Sequence, residues 1–324
     1  MIEMMKPRQH QGAATGCDCC PFECRADRIA RFGVCKAPAE FKIARIMAHF
    51  WEEPCISGTR GSGTVFFSHC NASCLFCQNY RISQLHQGSI YQDADFITAC
   101  RQFIETTRVH NLNLVSPTHY SGRLLKILPR LKQEIGSIGL LPVNLSVSSP
   151  DAAPNGVLPI VWNSNGYEKA SVIERLSGLV DVFLPDLKYF DNDLAVKFSR
   201  LPDYFQHAAR AIAAMQKIVG DVPVFDREGI MHKGMIIRHL ILPGQVENSK
   251  KILTWIARNL GTQTYVSLMS QYYPVYRACQ TPDLDRRLNP DEYQEVEEHF
   301  LGLGFENGFL QDLDSNSADY TPEF

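Results

Sequence analysis

The chain has 324 residues, 45% of them hydrophobic and 21% charged, with a formal net charge of -3. That supplies enough apolar material for one large core, and the length fits two domains or one large α/β barrel with attachments. Weak net charge and the lack of a long basic run give no sign of a nucleic-acid partner. No run of about 18 apolar residues predicts a membrane span, and the N-terminal residues MIEMMKPRQHQGAATG lack a signal-peptide apolar region; a cytoplasmic location is expected. In that compartment thiols stay reduced, so the clustered ones among the eleven cysteines read as metal ligands rather than disulfides.

In chain order, residues 1–16 are polar and expected to fray. Residues 17–35 form a cysteine-rich knot without periodicity, and residues 36–62 read as an extended lead-in. Six short apolar runs then predict strands: Gly63–Ser68, Leu112–Ser116, Val157–Trp162, Val180–Leu184, Met235–Leu242 and Tyr265–Met269. Helical patterns follow them at Ala94–His110, Gly122–Ile135, Tyr167–Leu176, Tyr204–Val219, Glu247–Leu260 and Pro290–Leu303. Strand–helix alternation implies a parallel sheet buried on both faces. The predicted fold is α/β, a partial (β/α)6 TIM-like barrel with a cysteine-rich N-terminal extension; a flat doubly wound sheet is the alternative. Either closure puts functional loops at the strand C-terminal ends.

One segment, Gly136–Gly156, breaks this rhythm with a candidate extra strand at Val143–Val147 and a Ser/Pro/Asn-Gly loop. The chain after Gly308 is acidic and expected to be disordered. The expected organisation is a metal-binding extension over 1–62, a barrel over 63–310 and an acidic tail over 311–324.

After the first strand stands HCNASCLFCQNYRIS, with the spacing Cys70-x3-Cys74-x2-Cys77. Three thiolates can each hold one iron of a cubane cluster, leaving a fourth iron open to chelate a substrate or cofactor. A zinc site completed by His69 or His86 is the competing reading. Upstream, Cys17-x2-Cys20-x3-Cys24-x10-Cys35, with Cys19 spare, supplies four thiolates for zinc or a second [4Fe–4S] cluster. Isolated Cys55, Cys100 and Cys279 read as small buried hydrophobes. Further along, Asp186 and Lys188 alternate onto one face at a strand end. Arg238 interrupts the apolar strand MIIRHLIL, where a guanidinium can grip a carboxylate. Glu52 and Glu53 read as solvated or structural carboxylates.

The Cys-x3-Cys-x2-Cys spacing with Phe76 before the last cysteine resembles the radical S-adenosylmethionine (SAM) superfamily. FFSHCNASCLFCQN, SPTHY, NSNGYE, LPDLKY and IRHLILPG narrow the resemblance to the pyruvate formate-lyase activating enzymes, nearest their PflX-like branch. The resemblance implies a [4Fe–4S] cluster on Cys70, Cys74 and Cys77 that cleaves SAM reductively to a 5′-deoxyadenosyl radical, which removes a substrate hydrogen. It implies cofactor contacts at Phe76, Asn79, Thr118, His119, Asn163, Ser164, Asn165, Asp186, Lys188 and Arg238. The chain departs from the activases in having Pro117-Thr118-His119 where they carry Gly-Gly-Glu. An electron donor such as flavodoxin or ferredoxin is implied, and a glycine on a partner protein is the substrate the activases suggest. A small molecule remains open, and no side chain is assigned to catalysis itself. The competing class is a non-catalytic iron–sulfur electron-transfer or zinc-stabilised interaction protein.

Overall fold

The computed structural model describes residues 16–138 and 158–312. The candidate strand at Val143–Val147 lies outside them. Their elements run β1 (Phe41–His49), α1 (Pro54–Ser57), β2 (Ser62–Phe67), α2 (Tyr80–Ser83), β3 (Ser89–Tyr91), α3 (Asp93–Thr107), β4 (Leu112–Val115) and α4 (Ser121–Gly136). There follow β5 (Ile160–Ser164), α5 (Ala170–Glu174), β6 (Val182–Pro185), α6 (Asn192–Ser199), α7 (Tyr204–Val219) and β7 (Val224–Phe225). The order ends with β8 (Met231–Leu240), α8 (Val246–Asn259), β9 (Tyr265–Met269), α9 (Pro290–Gly302) and β10 (Gly308–Leu310).

One sheet runs in the order β10-β9-β8-β6-β5-β4-β2-β1-β3 and does not close; β7 pairs with β8 beside it. All pairings from β2 through β10 along that path are parallel, while β1 pairs antiparallel with both β2 and β3. The six predicted strands are therefore the parallel strands of an open barrel, and β10 adds a seventh. β10 corrects one expectation: Gly308–Leu310 pairs with β9, and the backbone carbonyls of Gln311 and Asp312 accept from the hydroxyls of Tyr293 and Ser270 respectively. Order thus continues through Asp312; residues 313–324 lie outside the description.

Two cores flank the sheet. The larger one packs α3, α4, α7 and α8 on its outer face through residues such as Ile104, Leu128, Ile212 and Ile256. The smaller one holds Cys55 and Ile56 of α1 against Val161, Val182, Leu184 and Ile236. Strand alternation puts these residues on the inner face, so α1 plugs the barrel from inside. The predicted helix over 167–176 shrinks to Ala170–Glu174 because its first turn is used otherwise. Gly166 has φ +78°, and a Cβ there would stand 2.1 Å from the Asp186 carbonyl oxygen, so only glycine admits this approach of two functional loops. Among the described residues no helix is long and apolar enough to cross a membrane.

Candidate active site

A cavity of about 880 Å³ occupies the inner face of the open barrel. Cys70, Cys74 and Cys77 line one end of it, with Phe76 and Asn79 from the same loop. The loop leaves β2 and is pinned from outside: Ser73 and Leu75 donate backbone N–H groups to the carbonyls of Ser199 and Phe198 at 3.0 and 2.8 Å. Each sulfur has its own neutral polar partner. Asn165 donates to Cys70 Sγ at 3.3 Å, Ser199 donates to Cys74 Sγ at 2.9 Å, and the Ser83 hydroxyl lies 3.1 Å from Cys77 Sγ. Burial pushes the Cys70 thiol up to about 12 and Cys77 to about 11, and raises Cys74; neighbouring thiols add to the first two. Buried thiols of this kind ionise when a metal compensates the charge, and hydrogen bonds to sulfur are what a metal-bound thiolate accepts. Among the described residues no three His, Cys, Asp or Glu side chains close on a single metal ion. The donor set, three thiols around one end of a roomy cavity, fits a cubane with one iron left open.

The remaining strand ends bring charged and polar groups to the same cavity. Asn163, Ser164 and Asn165 end β5, Asp186 and Lys188 follow β6, and Arg238 lies near the end of β8; all six line it. Lys188 Nζ bonds Asp186 Oδ2 at 2.5 Å. Burial opposes the charge on Lys188, but the carboxylate of Asp186 and the nearby Cys74 outweigh it and raise the ammonium. Tyr204 fastens this loop, accepting from the Lys188 N–H and donating to the carbonyls of Asp186 and Asn165.

Arg238 is held differently from the expectation. Its Nε donates to Glu53 Oε1 at 2.9 Å, its Nη2 to Glu53 Oε2 at 2.5 Å, and Nη2 also contacts Glu52. Glu52 Oε1 in turn accepts from Asn113 at 2.8 Å and Asn163 at 3.4 Å. Burial works against both partners; the carboxylates raise Arg238 well above its usual value, and Arg238 lowers Glu53. Glu52 and Glu53, read as solvated or structural carboxylates, thus form the charged floor of the cavity. The sequence signal was the EEP triplet ahead of α1, without periodicity to show that it turns inward.

Thr118 and His119 are not among the residues lining the cavity. The Thr118 hydroxyl donates to Glu168 Oε1 at 2.9 Å, which also accepts from Trp162 Nε1 at 2.8 Å. Burial raises Glu168, and these donors oppose it. His119 is fully enclosed with Nε2 2.9 Å from the Ser68 carbonyl, and burial pushes it down to about 3. Both side chains fasten the loop after β4 from behind.

The N-terminal cysteines pack over these loops. Cys17 and Ala26 join by a 2.8 Å backbone bond, and Arg28 donates to Cys17 Sγ at 3.1 Å and to the His119 carbonyl. Burial raises Cys20 to about 12, and Cys35, Cys17 and Cys24 add to the shift. Cys19 lies against Cys17: its hydrogen bond with Cys17, then Arg28 and the Gly122 N–H in the first turn of α4, lower it to about 6 against burial. The Cys35 carbonyl lies 3.2 Å from Nδ1 of His69, one residue before Cys70. Cys55 and Cys100 are buried as expected, whereas Cys279 is exposed, because it sits in the loop beyond β9 rather than under a helix.

No family model matches the chain. An uncharacterized protein of Methanocaldococcus jannaschii, MJ0674, is 29% identical over 294 residues, spanning 87% of this chain and 72% of that protein. Among solved structures, Streptococcus suis SuiB bound to S-adenosylmethionine aligns with TM-score 0.47 and 13% identity over 79% of this chain, which spans about half of SuiB, 51%. A domain of a pyruvate-formate lyase-activating enzyme from Bacteroides vulgatus gives TM-score 0.38 and 14% identity, covering 60% of this chain and 92% of that domain. A spore photoproduct lyase, solved as a cysteine mutant, gives 0.44 and 14%, covering 76% of this chain and 74% of that one.

Proposed function

We propose that this chain is a radical SAM enzyme. The observation that carries the reading is the single cavity: three thiols, each with a neutral polar partner, share it with Asn163, Asp186, Lys188 and Arg238 from successive strand ends. When bound, a [4Fe–4S] cluster with SAM on its open iron supplies one-electron cleavage of the sulfonium and abstraction of a substrate hydrogen. Cys70, Cys74 and Cys77 hold the cluster, and Asn165, Ser199 and Ser83 stabilise charge on their sulfurs. Lys188, oriented by Asp186, is the cation available to the methionine carboxylate. Arg238 is paired through Nε and Nη2 with Glu53 and Glu52, fixes the cavity floor and lines the cavity. Asn163 and Ser164 offer polar atoms to a ribose, and Phe66, Val115, Leu240 and Met269 restrict water in the cavity.

The N-terminal thiols Cys17, Cys20, Cys24 and Cys35 hold a second [4Fe–4S] cluster or zinc. Resemblance to activating enzymes favours a glycine of a partner protein as substrate, and a cytoplasmic flavodoxin or ferredoxin as donor. A non-catalytic electron-transfer or zinc protein accounts for the thiols but gives no use for the charged cavity beside them. The test is anaerobic reconstitution with iron and sulfide, reduction, addition of SAM, and assay of 5′-deoxyadenosine. Product is expected from the wild type and none from the Cys70→Ala/Cys74→Ala/Cys77→Ala variant. A filled, reduced cluster whose EPR spectrum ignores SAM would sink the reading.

A further inference from the structure

A second concavity lies outside the barrel, away from the site above. It has a volume of about 490 Å³ and is floored by Phe190 and Trp255. Phe205 bridges these rings, with centroids 4.4 Å from Phe190 and 5.4 Å from Trp255. Lys250, Lys251 and Arg258 rim it against one carboxylate, Glu247. Lys250 is engaged by Glu247 and Glu295; among the described residues no carboxylate pairs with Lys251 or Arg258. On a chain of net charge -3, this is a locally cationic hollow with an aromatic floor.

Its position relative to the thiols gives it meaning. Phe190 is held by Asn248, which accepts from the Phe190 N–H at 2.8 Å and donates to the Lys188 carbonyl at 3.1 Å. The next residue inward, Tyr189, is fully buried, and its hydroxyl lies 2.7 Å from Ser199 Oγ. Ser199, also fully buried, donates to Cys74 Sγ at 2.9 Å. A continuous covalent and hydrogen-bonded path therefore runs from the aromatic floor through Tyr189 and Ser199 to one cluster ligand. Electrons cross such linked paths faster than gaps of the same length.

We propose that this hollow is the docking surface for an acidic one-electron carrier protein, with Tyr189 and Ser199 as the route to the cluster. The inference rests on the functional reading above. Cationic rim charges attract an acidic partner and raise its association rate at low salt, and the aromatic floor accepts the exposed edge of its cofactor. The step is one electron: the carrier's reduced flavin or iron–sulfur centre is oxidised, and the cluster held at Cys74 is reduced, with no bond formed or broken.

The experiment is stopped-flow reduction of the reconstituted protein by photoreduced flavodoxin, followed as loss of the cluster's visible absorbance. Lys251→Glu/Arg258→Glu is expected to slow reduction about tenfold or more at low salt and to flatten its salt dependence. Reduction by photoreduced deazaflavin, a small carrier needing no docking, should be unchanged. Tyr189→Phe should slow electron transfer while flavodoxin binding, measured by calorimetry, keeps its affinity. Equal flavodoxin rates for wild type and the charge-reversed variant would overturn the docking site. So would a wild-type cluster that deazaflavin reduces and flavodoxin does not. A wild type without iron–sulfur absorbance instead overturns the functional reading, and the inference falls with it by a separate signature.

Discussion

The two cysteine sites are built on opposite plans. The loop of Cys70, Cys74 and Cys77 is anchored by β2 on one side and by the α6 carbonyls on the other, and its sulfurs meet neutral Asn and Ser groups. The knot of Cys17, Cys20, Cys24 and Cys35 contains no strand or helix, and it is held on the barrel by side-chain and loop contacts through Arg28, Phe22, Lys169, Cys19 and Cys35. The central sulfurs meet neutral donors, with Lys188 as the nearby cation, whereas Arg28 places a full charge directly against Cys17 in the knot. A site framed by the sheet survives loss of its metal as a shape; a site made of loops depends on the metal for its fold.

The largest effect expected from that difference is in the knot. If the knot holds the proposed metal, Cys20→Ser/Cys24→Ser should abolish its binding and open residues 17–35 to limited proteolysis, while the barrel stays resistant. The corresponding double change at Cys70 and Cys74 should remove the central cluster without new cleavage sites. Equal protease sensitivity in both would break the comparison. A smaller but large effect belongs to the cavity floor. Arg238→Met leaves Glu52 and Glu53 buried without their cation, and unpairing a buried charge costs about 3–5 kcal/mol. Denaturant unfolding should show that loss, and Glu52→Gln/Glu53→Gln/Arg238→Met should recover most of it. If the triple change is no better than the single one, packing rather than charge dominates the floor.

Sequence reasoning reached local features and missed remote ones. The three central thiols that line the cavity were legible because their spacing is short, and α7 was legible because its apolar period is unbroken over sixteen residues. β10 is three residues long, too short for periodicity, and sits in an acidic stretch that reads as disorder. Ser199 was invisible because 125 residues separate it from Cys74. Glu52 and Glu53 were visible as residues but not as the partners of Arg238, which lies 185 positions beyond Glu53. Thr118 and His119 stand at the expected strand end, yet the buried Glu168 turns the threonine outward, a partner that the motif NSNGYE contains but does not explain.

The smallest predicted effect tests the knot's attachment rather than its metal. Lys169 precedes α5 and its Nζ reaches Asp18 at 2.5 Å and Glu23 at 2.7 Å, both carboxylates being about half exposed. Solvent screens such pairs, so Lys169→Ala should cost the whole protein no more than about 1 kcal/mol. The same change should act more visibly on the knot, because both of these carboxylates belong to it. Hydrogen exchange at residues 17–35 is expected to quicken in Lys169→Ala while exchange in β4, β5 and β6 stays at the wild-type rate. Faster exchange in both regions would mean that the knot and the barrel open together as one unit.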